Sequence, residues 1–245
     1  MTLTLSPGRV VRLQIALVAS VVLASFGAEI ILAHLPANSY RGLVALLNKF
    51  VLDSELSIPA WYSSSALLGC SVLLGLIACQ RCRSRYAYRF HWFILSLVFL
   101  LLSIDELIAV HEMLIVPLRR RLGFEGIFYY AWVIPGLVFV IGFGRCYLNF
   151  LMHLENWLRL LFLAAGATYV TGALGMEMAE GPIDQMFGDH SVMSLVAVTI
   201  EESLEMIGIA IFTYALLCFI RTHIGTLRIR LLDPSRAGVP GSAPR

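Results

Sequence analysis

Charge is scarce in this chain. Only 14% of its 245 residues are charged, against 59% hydrophobic, and mean hydropathy is +0.82. That balance excludes a soluble globular domain and fits a polytopic membrane protein. Lysine is nearly absent: of 18 basic residues, 17 are arginine and Lys49 is the exception. The arginines sit at the ends of apolar runs and form no stripe with interleaved aromatics, so nucleic acid is not an expected partner. Alternating apolar and polar residues are missing too, which excludes barrel strands and leaves helices as the elements able to satisfy their backbone in lipid. No internal repeat marks an inverted-repeat transporter. The five cysteines are an odd number, and Cys79-Gln80-Arg81-Cys82 lacks the βαβ surroundings of a redox motif, so it reads as a helix end.

What is present is a set of long apolar runs. Six of them, about 12–33, 60–79, 91–116, 127–145, 158–178 and 196–220, are long enough to cross a bilayer. The first is longer than the apolar core of a signal peptide and is read as a span. Between the first two, Leu43, Val44, Leu47, Phe50 and Val51 recur at helical spacing and predict an interfacial helix over about 40–52. The expectation is an all-α membrane helix bundle forming a single domain over 1–232, with a disordered tail over 233–245.

Arginine and lysine set the expected orientation. With the N-terminus inside, the inner side holds Arg9, Arg12, Arg81, Arg83, Arg85, Arg89, Arg145, Arg159 and five arginines after Ile220, thirteen in all. The outer side holds Arg41, Lys49 and Arg119 to Arg121, which makes five. Both termini are then cytoplasmic, in a bacterial inner membrane.

Against this background the acids stand out. Asp105, Glu106, His111 and Glu112 fall in the third expected span and Glu201, Glu202 and Glu205 in the last, with lone acids at Glu29 and Glu177. A charge in hydrocarbon costs at least a few kcal/mol, so such residues mark a site that binds or moves something. Counting from the inner end of each span, Asp105 lies about 21 Å in, Glu205 about 24 Å, Glu29 about 25 Å, Glu177 about 27 Å, Glu201 about 30 Å and Glu112 about 31 Å. Four helices thus put their acids at one level toward the outer side. Glu201, Glu205 and Glu202 share one helix face, and Asp105 and Glu112, seven residues apart, share another. Gly166, Gly172, Gly175 and Gly208 would let helices approach closely.

So many carboxylates with so few cations call for protons or a bound cation. Asp105, His111, Glu112, Glu177, Glu201 and Glu205 are the metal-ligand candidates, with Glu29, Glu55, Glu106, His190 and Glu202 in reserve. Carboxylates with histidine suit zinc, iron or manganese, and carboxylates alone suit calcium. Trp61, Tyr62, Tyr129, Tyr130 and Trp132 read as aromatic-belt residues.

The stretches Leu52-Asp53-Ser54-Glu55, Asp105-Glu106 with His111-Glu112, and Glu201-Glu202-Ser203-Leu204-Glu205 resemble a group of bacterial six-span inner-membrane proteins of similar length. Asp53-Ser54-Glu55 and Leu102 to Leu107 also look like parts of the alkaline ceramidase and receptor-like membrane hydrolases. That second resemblance implies calcium and zinc sites, but the paired C-terminal histidines of those hydrolases have no counterpart here. The resulting expectation is a metal site working on a lipid-soluble or periplasmic substrate, by hydrolysis or oxidation. The alternatives are a proton- or cation-coupled transporter or channel, and a structural subunit of a membrane complex. Nothing in the sequence marks an oligomeric state.

Overall fold

The computed structural model describes residues 6–36, 40–52, 54, 56–83, 88–188 and 191–225, without the side chains of 82 and 83. Asp53, Glu55, Asp189, His190 and the tail after 225 lie outside the described residues, as does the side chain of Cys82.

Among the described residues nine α-helices follow one another: α1 (Pro7–His34), α2 (Arg41–Asn48), α3 (Ile58–Arg83), α4 (Arg89–Ile108), α5 (Ile115–Leu122), α6 (Val133–His153), α7 (Asn156–Val170), α8 (Glu177–Phe187) and α9 (Val192–His223). A π-helical turn, Thr171–Met176, joins α7 to α8 without a break, so Asn156–Phe187 forms one long apolar segment. With that segment counted once, six helices among the described residues are long and apolar enough to cross a membrane. The protein is an all-α, multi-pass membrane protein.

Local chemistry explains most of the ends. Pro7 occupies the first turn of α1, where its missing N–H costs nothing, and Leu35 turns extended because Pro36 follows it. Ser191 caps α9 by accepting from the Ser194 N–H at 3.1 Å. Gly123, at φ +65°, closes α5 in the left-handed conformation that glycine adopts without strain.

The spans depart from their expected bounds where turn chemistry overrides hydropathy. Instead of running to 116, α4 stops at Ile108, because Ala109 turns left-handed at φ 45° and its N–H closes on the Asp105 carbonyl at 2.7 Å. A straight helix onward would place Pro117 in its interior, where proline removes a bond and clashes with the preceding turn. The interfacial helix is shorter than expected, ending at Asn48. The fourth span starts at Val133, not 127, because Gly126–Phe128 forms a separate 3₁₀ turn. The fifth continues through Glu180 to Phe187 instead of ending at 178.

α9 is the centre of the bundle. Of its apolar window 61% is buried, against 17% for α1, α4 and α6, and it packs on α1, α3, α7 and α8. Close approach to α7 depends on glycine. A Cβ on Gly208 would stand 2.8 Å from the Tyr169 nitrogen and 3.0 Å from the Ala165 oxygen, and one on Gly172 would stand 2.9 Å from both Glu205 Cγ and the Glu201 oxygen. Of the other two expected packing glycines, Gly166 faces open space and Gly175 meets only Thr171 of its own turn.

Helices α3 and α4 are joined by serines seven residues apart on each helix. Ser64 and Ser103 each donate to the other's carbonyl, at 2.7 and 2.8 Å, and Ser71 and Ser96 do the same, both at 2.8 Å. At the amino-terminal end of α4, Trp92 is fully buried among Phe150, Phe162 and Phe219 and seals that end of the bundle.

Helix α6 meets the bundle mainly near its ends. At one end Gly136 lies against Leu174; at the other the Tyr147 hydroxyl donates to the His91 carbonyl at 2.8 Å and Phe150 packs on Trp92. Its middle stands off from α4, α7 and α9, which leaves a cavity.

Candidate functional site

The cavity has a volume of about 860 Å³ and two unlike halves. One half is apolar, walled by residues such as Phe99, Phe139, Phe143, Phe162 and Phe212. The other is lined by Asp105, Glu106, Glu112, Glu177, Glu180, Glu201, Glu202 and Glu205 together with His111, and no lysine or arginine is among the described residues of its wall.

His111 was expected inside the third span, to one side of an eclipsed Asp105 and Glu112. The structure places it after the helix has ended. The turn at Ala109 folds the chain back so that His111 Nδ1 lies 2.6 Å from Asp105 Oδ2, while the His111 backbone N–H donates to Oδ1 at 3.1 Å. Both Asp105 oxygens are thereby engaged with His111, one on its ring and one on its backbone. Glu112 leaves α4 with His111 and starts a 3₁₀ turn, so it shares no helix face with Asp105. Burial disfavours the charged imidazole ring. The hydrogen bond and charge of Asp105, with the charges of Glu177 and Glu112, outweigh that and hold the His111 pKa above its ordinary value.

The π-helical turn sets the next pair. By widening one turn it brings α8 around so that Glu177 and Glu180, three residues apart, both face the cavity, and both are buried. Glu177 Oε1 accepts from the Trp132 indole at 2.9 Å, and Trp132 in turn lies 4.5 Å from the His111 ring. The second oxygen, Oε2, is buried with no hydrogen-bond partner. From α9, Glu201 comes into hydrogen-bonding contact with the Glu180 carboxyl, and Glu205 meets the Tyr169 hydroxyl.

Expected and observed sites overlap in part. Asp105, His111, Glu112, Glu177, Glu201 and Glu205 all line the one cavity, as do Glu106 and Glu202. Glu29 does not: its carboxyl accepts from Ser25 at 3.3 Å on α1, away from the cavity wall. Glu180 was not anticipated, although its spacing from Glu177 on a continuing helix was the available signal. Tyr130 and Trp132 are more than belt aromatics. Trp132 joins Glu177 to His111, and the Tyr130 hydroxyl donates to Asp184 at 2.5 Å. Burial, then the hydrogen bond and charge of Asp184, with Glu177 and Glu180, raise the Tyr130 phenol far above its ordinary range, so it remains a donor. Among the described residues no three of the histidine, cysteine or acid side chains converge, as they stand, closely enough to hold a metal ion.

Chemically the site can orient an imidazole for proton transfer or ligation, hold protons on paired carboxyls, and attract cations into a partly apolar chamber. No curated protein and no solved structure matches the chain. Residues 14–219 match the family model described as Domain of unknown function (DUF8692), a stretch that contains every acid of the cavity wall, and the chain belongs to that family.

Proposed function

We propose that this protein binds a divalent transition-metal ion in the acid-lined half of its cavity and uses it for metal-assisted chemistry, a hydrolysis or an oxidation, on a substrate drawn from the membrane. The observation that carries this reading is the Asp105–His111 pair in a wall of carboxyls without a lysine or arginine among its described residues. A histidine whose Nδ1 is bonded to a carboxylate has its ring fixed and presents Nε2 as a ligand, the arrangement found behind metal-binding histidines. His111, Glu177, Glu180 and Glu201 are the donor set assigned to the ion on this reading, and a mixed imidazole and carboxylate set favours zinc, iron or manganese over calcium. Glu177, Glu180 and Glu201 would hold the ion as carboxylates, with His111 as the neutral imidazole, since ligation requires the deprotonated forms.

The arginine distribution of the sequence supports a topology with both termini in the cytoplasm and the acid-lined half toward the outer face of a bacterial inner membrane. The apolar half of the cavity carries no acid to continue a proton path, which favours an enzyme over a through-membrane relay.

Elemental analysis of protein purified without added metal tests the reading. Near-stoichiometric zinc, iron or manganese, lost in Glu177→Gln and Glu201→Gln, is the expected result. Protein that is metal-free and does not take up any of the three ions on titration overturns it, and proton or cation flux in vesicles then becomes the measurement to make.

A further inference from the structure

The two halves of the cavity together describe an occupant. We infer that the chamber holds a single-chain amphiphile whose head donates hydrogen bonds, a long-chain alcohol or amine, with its chain along the phenylalanine wall and its head among the acids. The inference rests on the site proposed above and names its substrate class.

Three observations carry it. First, the apolar half is enclosed by aromatic and aliphatic side chains from α4, α6, α7 and α9, while its floor is sealed by the Trp92 cluster. A chain whose head sits among the acids therefore lies along the helices and does not pass through. Second, the volume of about 860 Å³ lies in the range of roughly 300–1,000 Å³ that encloses one small ligand, and so accommodates one chain with a small head in preference to a two-chain phospholipid. Third, the head end presents acceptors. Eight carboxyl groups line it with no described lysine or arginine, and Glu177 Oε2 is buried in that wall without a hydrogen-bond donor. A hydroxyl or ammonium group supplies the missing donor, whereas a phosphate, sulfate or carboxylate head would be repelled.

The route in is the flank of α6. This helix is held chiefly at its ends, and between them Gly144 of α6 and Gly166 of α7 both line the chamber with open space beside them, since a Cβ on either meets nothing within 4 Å. The same openness provides the test, because leucine at these positions fills the chamber without disturbing a helix contact.

The experiment is photolabelling in nanodiscs of neutral lipid. The probes are a diazirine-bearing 1-alkanol, 1-alkylamine and alkyl sulfate of one chain length, with the labelled peptides mapped by mass spectrometry. The alkanol and the amine are expected to label α6 and α7 at least about tenfold more than the sulfate, since each tenfold corresponds to a modest electrostatic preference. Gly144→Leu with Gly166→Leu should remove that labelling while metal content stays at the wild-type level. Gly142→Leu, which lies on α6 away from the cavity wall and also meets nothing within 4 Å, should leave labelling unchanged. Equal labelling by the sulfate, or labelling that survives the double leucine variant, overturns the inference. Head-selective labelling of a protein that takes up no metal upholds the inference and overturns the metal reading alone.

Discussion

The Nδ1 atom of His111 lies 2.6 Å from Oδ2 of Asp105, six residues earlier, across a left-handed turn at Ala109. The carboxylate fixes both the ring and the backbone of the same residue, so it acts on the site through His111. Asp105→Asn preserves size but removes the charge that holds the imidazole. Metal affinity is expected to fall about 10- to 100-fold, as it does when partners behind a ligand are lost, with helix content unchanged. Competitive titration against a chelating dye measures it. Unchanged affinity would remove Asp105 from the site.

The same pair makes stability depend on pH. The folded pKa of His111 is raised above its ordinary 6.5, so the stabilisation is fully present below that value and is lost as pH rises through the raised one. In chelator-treated protein, thermal stability should fall over that interval, and Asp105→Asn should flatten the profile. A wild-type profile that rises with pH across the same window would contradict this.

Two glycines on neighbouring helices should respond in opposite ways to leucine. Gly208→Leu forces a side chain against Tyr169 and Ala165, so α7 must move, at a cost of about 1–3 kcal/mol or more. Gly166→Leu points into the cavity and gains helix propensity, up to about 1 kcal/mol. Unfolding in mixed detergent ranks the two, and a milder effect at Gly208 would refute the packing described here.

The serine pairs of α3 and α4 offer a quantitative check. Ser64 and Ser103 exchange two interhelical bonds, and bonds of this kind average about 0.6 kcal/mol in membrane helices. Single alanine variants should cost about that much per bond lost, and the double variant should cost less than their sum. Full additivity would show that the two hydroxyls act independently.

Much of this architecture was legible in composition. Apolar runs of span length can be little other than helices in lipid, so six spans and their order follow from hydropathy. What hydropathy does not register is chain direction at an interface. Val110 to Val116 are mostly apolar around His111 and Glu112, and nothing in their hydrophobicity marks the left-handed turn at Ala109, a residue that rarely adopts it. The gathering of acids was visible as a shared depth, but the identity of their partners was not. Whether Trp132 serves a lipid interface or a carboxylate depends on how the chain folds to bring it to Glu177, 45 positions later, and on a π-helical turn that has no composition signature. Glu180 was lost for the same reason, because the span was expected to end two residues before it.

That π-helical turn gives the site a registry. Each helical residue advances the helix by about 100°, so taking one residue out of Thr171–Met176 and closing the turn to ordinary α geometry would rotate everything beyond it by about that angle. Glu177 and Glu180 would swing off the cavity, away from Trp132 and Glu201, and Asp184 would leave Tyr130, while the upstream contact of Tyr169 with Gly208 stayed in place. The acid wall is therefore phased to the bundle by a single surplus residue, and deletions within this six-residue turn should separate a folded protein from a functional one.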